Sequence, residues 1–109
     1  MGMHASAFLA YGIDFGEEKP EFLADFDGEI DEWVYENADD VIEPLPYFVD
    51  GHTVLAVNDH VFHSDYSSLV TEIDSLEVDP VKVEAFKAAL VAAGYKNPEP
   101  RWLLSFHFG

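Results

Sequence analysis

Three histidines and a group of carboxylates lie near the middle of the chain. His52 precedes the run Asp59-His60-Val61-Phe62-His63-Ser64-Asp65. Imidazole and carboxylate together can hold zinc or other divalent ions, and the same groups move protons in general acid–base catalysis. Spacing argues against such a site. On a strand His60 and His63 project from opposite faces, and only a helix would bring them to one. Val61 and Phe62, beside a turn-forming Asn58-Asp59, favour a strand, and His52 would have to join across a hairpin. Turn polarity and half-exposed strand histidines explain the cluster without a metal.

A second pattern is purely acidic. Glu21, Asp25, Glu29, Glu32 and Glu36 follow one another at steps of four, four, three and four, and Asp39, Asp40 and Glu43 continue beyond them. A helix through this region would carry five carboxylates along one face. Like charges at these spacings cost a helix ~0.2–0.5 kcal/mol per pair. Lys19 is the one base nearby. Such a stripe suits a basic partner surface, including one that normally grips phosphates. Four residues rise ~6 Å along a helix, whereas duplex DNA carries a charge every ~1.7 Å of axis. A nucleic-acid mimic would therefore need further rows, from Asp14, Glu17, Glu18, Asp50 or the carboxylates of 72–79.

The segment Asp25-Phe26-Asp27-Gly28-Glu29-Ile30-Asp31 echoes the middle of an EF-hand loop. Aligned on Gly28, however, the first and last ligand positions fall on Leu23 and Val34. The chain has no P-loop, no dinucleotide fingerprint and no nucleophile elbow.

The elements that would position these groups read as follows. Residues 4–13 form an apolar, buried strand. Pro20 opens a helix over 20–37, with Phe22, Leu23, Phe26, Ile30, Trp33 and Val34 as its inner face. Gly28 weakens its middle and can split it into two, with Asp27 as a cap. Pro44 and Pro46 end this region. Residues 52–57 and 60–63 read as a hairpin turning at Asn58-Asp59, and 69–73 as another strand. Asp79-Pro80 starts a second helix, with Val83, Phe86, Leu90 and Ala93 inward and Gly94 as its stop. Trp102, Leu104, Phe106 and Phe108 alternate as a last strand. If that strand is an edge, it can pair with another copy or a partner. The expected fold is a single α+β domain over 1–109. It has a small antiparallel or mixed sheet of four to five strands, two helices on one face, and the first and last strands adjacent.

Composition sets limits. In 109 residues, 22 acids against five Lys and Arg give a net charge of −17, while 49% hydrophobic content supports a folded core. That charge opposes direct contact with nucleic acid or anionic membranes and favours basic partners. The acids crowd the first half: residues 1–50 hold 14 acids and one base, and 51–109 hold eight and four. Without cysteine there is no disulfide or thiolate metal site. No apolar run reaches the ~20 residues of a membrane helix, and no secretory signal opens the chain, so a cytoplasmic protein is expected.

The two ends together resemble a group of small uncharacterised proteins of actinobacteria and their phages. The residues that carry this are Leu9-Ala10-Tyr11-Gly12-Ile13-Asp14-Phe15-Gly16 and Pro100-Arg101-Trp102-Leu103-Leu104-Ser105-Phe106-His107-Phe108-Gly109. The resemblance implies a bacterial or phage provenance and no chemistry. The expectation is a non-enzymatic interaction domain without a cofactor. It would bind a basic protein through Glu21, Asp25, Glu29, Glu32, Glu36, Asp39 and Asp40, as a phage-encoded modulator or nucleic-acid mimic. The alternative is a small metal-dependent or acid–base enzyme using His52, His60 and His63.

Overall fold

The computed structural model describes residues 5–17, 20–26, 30–45, 52–65 and 70–108. Four strands, β1 (Ala5–Asp14), β2 (Ile42–Pro44), β3 (Val54–Asp65) and β4 (Arg101–Phe108), form one sheet in the order β2-β3-β1-β4. Every pairing is antiparallel. Two helices, α1 (Ile30–Asn37) and α2 (Pro80–Ala92), and a 3₁₀ helix over Glu21–Phe26 complete an α+β fold. The first and last strands are neighbours, as their apolar patterns suggest.

The main core lies between the helices and the sheet. Trp33 and Val34 of α1 and Val83, Phe86 and Leu90 of α2 close on Ile13, Ile42, Leu55 and Val57. An aromatic chain seals the end of β1. Phe22 contacts Trp33 at 4.8 Å and Phe15 at 6.0 Å, and Phe15 contacts Tyr95 at 5.0 Å. A smaller cluster of Phe8, Ala10, Leu45, Val54 and Ala56 packs separately. Alternation along β1 and β3 explains the division, since successive residues go to opposite faces.

Helix α2 is set by its ends. The Asp79 carboxylate accepts from the Val81 N–H at 2.9 Å, and Pro80 needs no partner at the first helical position. At the other end Gly94 takes φ +101°. Its N–H donates to Val91 and that of Tyr95 to Leu90, which satisfies the last carbonyls.

Two sequence expectations need correction. Asn58-Asp59 makes no hairpin turn, because β3 runs unbroken from Val54 to Asp65. The register jumps from Ala10↔Val61 to Gly12↔Ala56, so that Tyr11 alone faces residues 57–60. The turn-forming pair supplies a bulge instead, with Asp59 at φ +65°. Residues 70–73 form no strand. The segment 20–37 holds two helical elements, the division that Gly28 allows. Its first part is a 3₁₀ helix and its second is α1, while Asp27, Gly28 and Glu29 lie outside the described residues. Strand β2 was not anticipated. Its Pro44 is tolerated because an edge strand can spare an N–H.

Gly12 allows β1 and β3 to approach beside the bulge. A Cβ there would sit 2.2 Å from the Leu55 carbonyl oxygen and 2.6 Å from the Ala56 Cα, both backbone atoms. Gly16, at φ +80°, has nothing within 4 Å. Gly12→Ala should therefore cost about 3 kcal/mol in urea unfolding, at the upper end for overpacking. Gly16→Ala should cost only about 1 kcal/mol, from backbone strain. Equal losses would contradict the close approach.

Candidate functional site

The bulge sets Asp59 and His60 against the start of α2. His60 is only 6% exposed. Its Nε2 accepts from the Asp79 N–H at 3.0 Å, so the ring proton sits on Nδ1, which donates to the Asn58 carbonyl at 2.9 Å. Both nitrogens are thereby used, one to hold the bulge and one to hold the start of α2. The ring offers no lone pair to a metal and no proton to a substrate. Tyr11 lies 6.4 Å away, between His60 and Trp102.

Asp59, turned out by the bulge, pairs with Lys82 on the first turn of α2. The Lys82 ammonium holds the Asp59 carboxyl below its usual range, chiefly through their hydrogen bond, and the Lys82 pKa is raised in return. Glu43 on β2 has the opposite tendency. Partial burial pushes its carboxyl up, and the Asp59 charge adds to the effect. Lys82 thus compensates Asp59, while Glu43 carries a burden.

His52 and His63 do not join His60. His52, just before β3, donates from Nδ1 to the Asp14 carboxylate at 3.0 Å, and the same carboxylate accepts from the Gly16 N–H at 2.8 Å. His63 lies near the far end of β3, opposite Phe8. Across the hairpin once expected there is only one long strand, and it separates the two. Ser105 lines the cleft beside Asp14 and His52. It pairs with Phe8, six residues along β1 from Asp14, about 20 Å of strand, so no Ser–His–Asp array forms. Among the described residues no group of three metal-ligating side chains converges. Leu23 and Val34, the would-be outer ligands of the EF-hand echo, are both in the core.

The acidic residues fare differently. Glu21 is exposed on the 3₁₀ helix, and Glu32 and Glu36 are exposed on α1. Asp31, Asp39 and Asp40 extend the same charged surface, with Asp40 at φ +62° where the chain reverses into β2. Asp25 falls within the 3₁₀ helix, whose backbone turns every three residues and does not keep the four-residue steps of the stripe in line. Glu32 and Glu36 keep their i,i+4 relation. Among the described residues none of these carboxylates has a cationic partner. The ion pairs present use Lys82, Lys87, Arg101 and His52, all outside this region.

No family model matches this chain, and neither a curated protein nor a solved structure matches it.

The structural role of His60 predicts that His60→Leu destabilises the fold by about 2 kcal/mol, the usual cost of orphaning a partly buried donor. Equimolar zinc should leave the unfolding midpoint of the native chain unchanged, and a zinc-induced rise would contradict the assignment. For Glu43, a raised folded pKa means a stability contribution present at low pH and lost as pH rises through that value. Glu43→Gln should therefore raise the melting temperature at pH 7, and the gain should vanish by about pH 3, where wild-type Glu43 is protonated. Asp59→Asn should do the reverse, because a depressed pKa gives stability above the ordinary carboxylate range that is lost on acidification.

Proposed function

We propose that this chain is a non-enzymatic interaction domain that binds a basic protein surface through the exposed carboxylates of the α1 region. The observation that supports this is the exposed charge of Glu21, Asp31, Glu32, Glu36, Asp39 and Asp40, none of which has a cationic partner among the described residues, where Lys82, Lys87 and Arg101 pair with other acids. Repulsion at Glu32 and Glu36 costs stability. Alternating signs would keep a surface soluble without that cost.

A general basic surface fits better than a mimic of duplex DNA. Helix α1 has eight residues, about 12 Å, over which a duplex presents roughly seven charges. Here three acids, Asp31, Glu32 and Glu36, lie on that length. The partner class is a basic protein, nucleic-acid-binding ones included, met in the cytoplasm. A bacterial or phage setting follows only from the resemblance of the two chain ends.

The combined substitution Glu32→Lys, Glu36→Lys and Asp39→Lys tests this, since all three side chains are exposed. Native chain and variant serve as baits in a bacterial lysate, washed at low and then high salt. The expected result is one dominant basic protein on the native chain, released by salt, and at least a tenfold weaker capture by an equally folded variant, about 1.4 kcal/mol or more. Equal capture by both baits would overturn the proposal.

A further inference from the structure

The sheet has two edges of very different kinds. The β2 edge is three residues long, ends in Pro44 and is flanked by α1. Such edges resist pairing. The β4 edge is eight residues long and pairs along its whole length with β1 on the inner side. It contains no proline, no glycine, no lysine and no carboxylate. Among the described residues no strand lies beyond it. Two of its apolar side chains are open to solvent, for Leu104 is 80% exposed and Phe106 is 64% exposed, while Trp102 rests on Tyr11 and Phe62 and Leu103 on the smaller core cluster.

Charge decides what can lie against this edge. Residues 1–79 hold 20 acids and one base, so two copies repel through any surface built from them. Residues 80–109 hold two acids and four bases. A second copy can therefore approach along β4 without opposing carboxylates. The strand is also self-complementary. Antiparallel pairing about a two-fold axis at Leu104 sets Leu104 opposite its own counterpart and Trp102 opposite Phe106, so apolar side chains meet on one face.

We propose that β4 pairs with β4 of a second copy, centred on Leu104, to give a homodimer with one continuous eight-stranded sheet. This contact is small and each copy carries a net charge of −17, so the dimer is weak, with a dissociation constant of about 10–100 μM. Salt screens the repulsion and strengthens it. A basic partner at α1 would respond to salt in the opposite sense.

Sedimentation velocity over about 5–200 μM should show a monomer–dimer equilibrium, shifted toward dimer by adding salt. Leu104→Lys sets two cations face to face at the axis and should abolish the dimer, while Val91→Lys on exposed α2 should not. Because the chain has no cysteine, Leu104→Cys and Phe106→Cys each introduce a single thiol. Mild oxidation should cross-link the first between copies and the second far less, as only the first meets itself within disulfide reach. A monomer at every concentration, a Leu104→Lys dimer, or equal cross-linking of the two cysteine variants would each overturn the proposal.

Discussion

The fold depends on a long strand being allowed to buckle at one place. Strand β3 pairs with β2 through its first half and with β1 through both halves, and the change of register falls at residues 57–60. Two side-chain facts make this stable. Gly12 lets the β1 and β3 backbones come close, and His60 ties the bulge to the first turn of α2. The Asn58 N–H also donates to Val41 at 3.1 Å, which fixes the start of β2. Sheet edge, bulge and helix are thus joined at a single position.

That constraint allots the polar residues their roles. A histidine with both nitrogens occupied is a strut. The bulge presents Asp59 to Lys82, a pairing that serves the fold, and leaves Glu43 partly buried at a cost to it. The acids around α1 have no such duty. They are exposed and repel one another, and among the described residues Lys82, Lys87 and Arg101 pair with acids outside this region. Charge is therefore segregated along the chain, with an acidic half available to a basic partner and a nearly neutral sheet edge available to a second copy.

Much of this was legible in the sequence where one signal dominates. Asp79-Pro80 and Gly94 marked the ends of α2, and the alternation of Trp102, Leu104 and Phe106 marked β4. The failures have a common physical source. Asn-Asp and Pro are local signals for a turn or a break, and tertiary pairing overrode both. Asn58-Asp59 became a bulge because β1 holds β3 on either side of it. Pro44 sits in a strand because that strand is an edge. The acidic stripe was visible as spacing, but its straightness assumed 3.6 residues per turn, and the 3₁₀ geometry at Glu21–Phe26 removed that assumption. The role of His60 was not legible, since its acceptor function depends on an amide 19 residues away.

The account's central structural claim is that His60 holds the bulge to α2 and is not free for chemistry. Nitrogen-15 NMR of the histidine rings tests it, through the tautomer of His60 and a scalar coupling across the hydrogen bond to the Asp79 amide. The account predicts the Nδ1–H tautomer with Nε2 coupled to the Asp79 N–H. A ring protonated at Nε2, or one with no coupling to that amide, would return His60 to the list of groups free for chemistry and contradict the account.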